Sequence, residues 1–260
     1  MEVVIQQDPD KVCKYAAQVV AEQLSRKPAS VLGLAAGSSQ LGLYRELIRM
    51  HKEDGLDFSK VNTFNLDEYA GLPPEHPCSY HTVMSRNFFD YINIPRANIH
   101  IPDGMSDDIP AECQRYEAAM RELGGIDLEM LGVGADGHIG FNEPSSSLGS
   151  RTRLKMLTEK TRYDNSRFFA SFDEVPRHVI TMGVGTIMDS RMVMLIAFGK
   201  QKADVVSKLI EGPVTAMVPA SVIQFHPRAK VIIDEAAAQK LKLKQYYKWA
   251  FEQKPKWQGL

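Results

Sequence analysis

Long apolar runs are missing from this 260-residue chain: no stretch approaches the roughly 18 to 20 consecutive apolar residues needed to cross a bilayer. A membrane-spanning helix is therefore not expected. Cysteine is scarce. Cys13, Cys78 and Cys113 are three in number, scattered and odd, which excludes a disulfide framework and paired-cysteine metal sites and fits a reducing compartment. Charge of one sign is also lacking, with 31 basic residues against 32 acidic ones and a net charge of -1. No long-range field is available for gripping nucleic acid, so an anionic ligand would need a local pocket. There is no internal repeat, low-complexity tract or linker rich in Gly, Ser and Pro. The N-terminal MEVVIQQDPDK carries an early acid and only a short apolar run, unlike a secretory signal, so a cytoplasmic protein is expected.

What is present is an alternation. Short β-branched runs at residues 3–6, 30–35, 61–66, 98–101, 126–132, 178–182, 192–198 and 230–234 are separated by longer stretches, several with helical patterns. Such patterns occupy residues 10–26, 40–51, 109–123 and 202–210. Strands alternating with helices of this length predict βαβ units. Nearly continuous apolar strands, such as VLGLAA and VMLIAFG, predict a sheet covered on both faces. The expected fold is α/β: a single doubly wound, mostly parallel sheet with helices on both faces, one domain over residues 1–260. In such sheets ligands bind beyond the carboxyl ends of the strands.

Three strand ends carry chemistry. Residues 30–35 run into Gly37-Ser38-Ser39 and then a helical pattern, which can present backbone amides to an anion or simply form a serine-capped turn. The spacing fits neither a dinucleotide fingerprint nor a Walker loop. Residues 61–66 end in Asp67-Glu68-Tyr69, where a carboxylate can act as a general base or merely cap a helix. Residues 126–132 open GVGADGHIGFNEP, a glycine-rich loop in which Asp136 and Glu143 flank His138. An imidazole held between carboxylates can move protons near neutral pH. One histidine and two acids at these offsets are too few for a metal site, so no metal or other cofactor is expected. Arg167 and Lys202 are candidate cations for an anionic group, Arg through its planar fork and Lys as a point charge.

Together these segments resemble the glucosamine-6-phosphate deaminase family over nearly the whole chain. The motifs are FNLDEYAGL (64–72), SYH (79–81), GVGADGHIGFNEP (132–144), SRTRLK (150–155), NSRFF (165–169) and TMGVGTIMD (181–189). The resemblance implies reversible isomerising deamination of glucosamine 6-phosphate to fructose 6-phosphate and ammonium. It implies Asp67 as the base moving the C2 proton to C1, and His138 as assistant to ring opening with Asp136 and Glu143 orienting it. Gly37, Ser38, Ser39, Arg167 and Lys202 would hold the phosphate, and residues 151–180 would form a mobile lid. Some members are hexamers activated by N-acetylglucosamine 6-phosphate, and Ser146, Arg153 and Lys155 match that activator site, so a homo-oligomer anywhere from monomer to hexamer fits the resemblance.

The chain departs from the family pattern at Ala36 and Gln40 in the phosphate turn, at Ala135, and at Met156 and Lys248 near the activator positions. Two rival readings compete: a 6-phosphogluconolactonase-like hydrolase, and a non-catalytic sugar-phosphate sensor. The lactonase fits the DEY and DGHIGFNEP segments less well. A sensor would be expected to carry a DNA-binding element ahead of the first strand, which here starts at residue 3.

Overall fold

A computed structural model of the chain describes residues 1–255 and 259. Its strands, in chain order, are β1 (Glu2–Gln6), β2 (Val31–Leu34), β3 (Asn62–Asn65), β4 (Asp67–Tyr69), β5 (Ile99–His100), β6 (Leu128–Leu131), β7 (Arg153–Met156), β8 (His178–Thr181), β9 (Val193–Ala197) and β10 (Ala229–Asp234). Seven form one sheet in the order β1-β10-β9-β6-β2-β3-β5, and every pairing in it is parallel.

Helices cover both faces of this sheet, as the apolar strands predict. α1 (Pro9–Arg26), α2 (Leu41–Asp54) and α3 (Tyr80–Asn87) pack on one side. α4 (Ile109–Glu122), α6 (Val184–Met188) and α7 (Ala203–Glu211) pack on the other. Strand alternation divides the core accordingly: Met194 and Ile196 of β9 join the first cluster, and Val193, Leu195 and Ala197 join the second. Local signals set the helix ends. Asp8 accepts a hydrogen bond from Lys11 N at 2.8 Å ahead of Pro9 at the start of α1. Gly55 closes α2 in the left-handed conformation, φ 75°. No helix among the described residues is long and apolar enough to cross a membrane.

From β2 the chain winds outward to β3 and β5; from β6 it winds the other way to β9 and β10. The loops leaving β2 and β6 therefore diverge, and a crevice opens between them at the carboxyl edge.

The expectation of one sheet needs a correction. Residues 178–181 do not join the parallel sheet. With β4 and β7 they form a separate three-stranded antiparallel sheet, order β4-β8-β7. An apolar run such as His178-Val179-Ile180-Thr181 signals burial but not which sheet buries it. The small sheet is tied to the large one through Leu66, which donates to Leu34 O at 3.0 Å and accepts from Met182 N at 2.8 Å. The segment expected as a lid, residues 151–180, holds β7, α5 (Glu159–Ser166) and most of β8. α8 (Lys244–Glu252) follows β10.

Gly104, in the loop after β5, accepts from Gly71 N at 2.8 Å and lies against the β4 backbone; a β-carbon there would sit 2.1 Å from Tyr69 O. Gly104→Ala should lower unfolding free energy by about 1–3 kcal/mol, the usual range for forcing an extra methyl into a packed site. Denaturant unfolding checks this, and because Tyr69 lies on β4 beside Asp67, activity per folded molecule should fall as well.

Candidate active site

A cleft of about 430 Å³ occupies the crevice between the β2 and β6 loops. Asp67, the first residue of β4, lies at its base and is 8% exposed. The chain leaves the large sheet at Leu66 and pairs Asp67 with Thr181 across the small one. The Asp67 Oδ1 atom accepts from the Thr181 hydroxyl at 2.5 Å and from Phe141 N at 3.2 Å. Gly140 makes this approach possible: at φ 55° it also lacks the β-carbon that would stand 3.2 Å from the same oxygen.

Burial raises the Asp67 pKa from 3.8 to about 7, overriding the two hydrogen bonds and the attraction of His138, which favour the anion. The neighbouring Glu68, on the opposite face of β4, belongs to the scaffold. It accepts from Ser79 Oγ and Tyr69 N, both at 2.7 Å, and so anchors the start of α3. The sequence reading placed the pair together at a strand end; the alternation of a strand separates them.

The β6 loop brings His138 to the cleft wall. Its Nδ1 lies 2.7 Å from Asp136 Oδ1 and 3.8 Å from Glu143 Oε2. Gly134 gives the ring room, since a β-carbon there would lie 2.2 Å from Cε1. Burial alone would push Asp136 up, but the bonds and charge of His138 hold it well below the ordinary carboxylate range. Glu143 is buried and accepts from the hydroxyls of Thr161 and Thr158. Asp136, His138 and Glu143 place donor atoms within 4.8 Å of one another, the one such group of three among the described residues. Asp136 also closes a local turn, accepting from His138 N at 3.2 Å.

The expected phosphate residues line the same cleft: Gly37, Ser38, Ser39, Arg167 and Lys202. Ser38–Gln40 form a 3-10 turn leading into α2, and neither serine caps a helix through its side chain, so the capping reading does not hold. Gly132 keeps the β6 loop close, as its β-carbon would be 2.8 Å from Ser39 Oγ. Lys202 donates to Val133 O at 2.8 Å, and burial lowers its pKa despite the acids Asp136 and Asp164. It ends a 3-10 turn and is the N-cap residue of α7, so it opens that helix as the sequence predicts.

Ser146, Arg153 and Lys155 do not join this cleft. Ser146 is buried with its hydroxyl unpartnered. Arg153 lines a separate cleft of about 560 Å³, donates to Asn142 Oδ1 at 2.9 Å and makes no ion pair among the described residues. Lys155 lies two residues on along β7, half-buried. Residues the sequence reading passed over are Thr181, Thr161 and Tyr80, the last two lining the cleft. Thr181 and Tyr80 lie inside motifs already singled out, but their contacts depend on pairing between distant segments.

Comparison with known proteins gives the family of the chain that carries this cleft. The model of the glucosamine-6-phosphate isomerases/6-phosphogluconolactonases matches residues 6–233, and the chain belongs to that family. Within it, the chain is 57% identical to the glucosamine-6-phosphate deaminase of Pseudarthrobacter chlorophenolicus, covering all of both chains. It is 49% identical to that of Mycolicibacterium smegmatis over the full length of both. A solved monomeric glucosamine-6-phosphate deaminase superposes with TM-score 0.90 at 44% identity, covering 92% of this chain and 100% of the other. A 6-phosphogluconolactonase from Trypanosoma cruzi shares the fold, with TM-score 0.72 at 18% identity over 93% and 97%.

Asp67 also links protonation to stability. Its carboxyl holds a proton to about pH 7 in the folded state and to about 3.8 otherwise. The contribution is therefore full below 3.8 and lost as pH rises through 7. Asp67→Asn should become more stable than wild type by a margin that grows from pH 4 to 7 and then levels off. At about 1.4 kcal/mol per pH unit the margin reaches at most roughly 4 kcal/mol. Denaturation curves across that range check it; a margin independent of pH would place the Asp67 pKa near its ordinary value.

Proposed function

We propose that the chain converts glucosamine 6-phosphate and water into fructose 6-phosphate and ammonium. The observation that carries this reading is a buried carboxyl with pKa about 7 at the base of a cleft whose walls carry an imidazole and two cations. Isomerisation needs a base that removes a carbon-bound proton and returns it one carbon away, and efficiency is greatest when the base titrates near working pH.

In this mechanism Gly37, Ser38, Ser39, Arg167 and Lys202 hold the phosphate, which orients the sugar far from the reacting carbons. His138, fixed by Asp136 and Glu143, passes a proton between the C1 hydroxyl and the ring oxygen and opens the ring to the aldehyde. The Asp67 carboxylate takes the proton from C2, the electron pair forms the C1–C2 double bond, and the carbonyl oxygen takes a proton from the substrate's own ammonium, giving an enol that bears the amine. Asp67 then returns the proton to C1, leaving an imine at C2. Water adds to that carbon, the C–N bond breaks, and ammonium leaves with the ketone in place. The segment 151–180, which carries Arg167, opens for exchange and closes during chemistry.

A lactonase reading is disfavoured because the full-length relatives at 57% and 49% identity are deaminases, whereas the lactonase neighbour is only 18% identical. Purified protein given glucosamine 6-phosphate should form fructose 6-phosphate and ammonium one for one, unaffected by EDTA, while 6-phosphogluconolactone is left unhydrolysed. Turnover of the lactone alone would replace the proposal with the rival. The same assay with galactosamine 6-phosphate reads substrate preference. Added N-acetylglucosamine 6-phosphate reads whether Ser146, Arg153 and Lys155 serve an activator.

Asp67→Asn should lower kcat by about 10³-fold or more, consistent with loss of a positioned base. In the wild type, kcat/KM should rise with pH through about 7, as the Asp67 carboxyl ionises. Near-normal turnover in Asp67→Asn would remove Asp67 from its role.

A further inference from the structure

Glu143 is 4% exposed, and its two oxygens have different surroundings. Oε1 receives hydrogen bonds from Thr161 Oγ1 and, at 3.3 Å, from Thr158 Oγ1. Oε2 has no hydrogen-bond partner and stands 3.8 Å from His138 Nδ1. Hydroxyl donors on one oxygen stop the carboxylate from rotating, so the other oxygen stays turned toward the imidazole.

Both hydroxyls belong to the start of α5, outside the loop that carries Glu143. Thr158 is the N-cap of α5, accepting from Thr161 N at 3.1 Å, and its hydroxyl lies 3.0 Å from that of Thr161. Thr161 is itself buried at 6% exposure, although most of α5 faces solvent. The far end of the helix touches other parts of the cleft: Asn165 Nδ2 donates to Tyr69 OH at 3.0 Å, and Arg167 caps the helix and lines the cleft. Eight residues span about 12 Å of helix. One short rigid element thus carries the cation assigned to the phosphate at one end and the donor that fixes Glu143 at the other.

We infer that Thr161 is a positioning residue, through which the docked α5 helix holds Glu143 in the orientation that serves His138. The inference rests on the catalytic reading of His138 and Glu143. It adds that ring opening depends on α5 being seated, so a sugar phosphate that draws Arg167 inward also completes the proton-transfer pair. With α5 displaced, Glu143 loses both hydroxyl donors, and its carboxylate is free to rotate away from the imidazole.

The test compares Thr161→Val, Thr161→Ala, Thr161→Ser, Glu143→Gln and the Thr161→Val/Glu143→Gln double variant, each corrected for folded fraction. Thr161→Val should lower kcat by about tenfold or more, the scale of a small misplacement of a reacting group, with KM little changed. Thr161→Ser, which keeps the hydroxyl, should recover most of the loss, and the pH profile of kcat should move in the valine variant alone of these two. Thr161→Ala should behave as valine and carries the test if valine does not fold. In the Glu143→Gln background, Thr161→Val should add no further loss, since both changes break one unit.

Wild-type kcat in Thr161→Val beside a crippled Glu143→Gln would overturn the positioning role and leave the catalytic reading standing. Additive losses in the double variant, or a serine variant as impaired as valine, would overturn it equally. Full activity in Glu143→Gln would remove both.

Discussion

The site depends on keeping one carboxyl, that of Asp67, out of water without leaving it unbonded. Chain direction makes this possible. At Leu66 the backbone passes from the seven-stranded parallel sheet to the small antiparallel one, bonding to Leu34 on one side and Met182 on the other. The next residue is thereby fixed at the carboxyl edge of the large sheet, opposite Thr181 of β8. Gly140 and Phe141 of the β6 loop close over it from the other side of the topological switch. Three segments far apart in sequence converge on one oxygen atom, and the cleft is the space left above it.

From that constraint follows a division of labour among acids. Asp67 sits where burial dominates and titrates near 7, whereas Asp136, beside His138, is held low. Two carboxyls of one type are driven apart by their surroundings, which suits the proposed split between a group that exchanges a proton and one that stays charged beside an imidazole. A third acid, Glu129 on β6, is fully buried, packs into the notch left by Gly33 and lacks any hydrogen-bond partner; burial pushes its pKa well above the ordinary value. Held neutral, it adds little charge beneath Asp67. The cationic side of the cleft is tuned too, since burial partly desolvates the Lys202 ammonium.

Much of the large sheet was legible in the sequence because its strands are short apolar runs between amphipathic helices, a pattern that burial on both faces imposes. The edge strand was read at 98–101, yet pairing is confined to Ile99–His100, where the sheet ends. The small sheet was not legible. β4 has three residues, and β7 alternates half-buried and exposed positions, so neither carries enough pattern to read. α5 reads EKTRYDNS, almost without apolar residues, and its helix rests on the Thr158 cap and on docking to Glu143 and Tyr69. That is tertiary information, as is the bond from Thr181 to Asp67 across 114 positions. The glycine-rich loop was readable as a site because close approach and positive φ require glycine, as at Gly140.

The central claim is that Asp67 is a buried base poised near neutrality, and titrating that carboxyl directly tests it. Protein labelled with carboxyl-13C aspartate, with Asp67→Asn as the assignment control, should show one resonance titrating near pH 7 that disappears in the variant. If the Asp67 signal instead titrates near 4, the carboxyl is an ordinary anion at working pH, and the account of how this fold prepares its base is wrong.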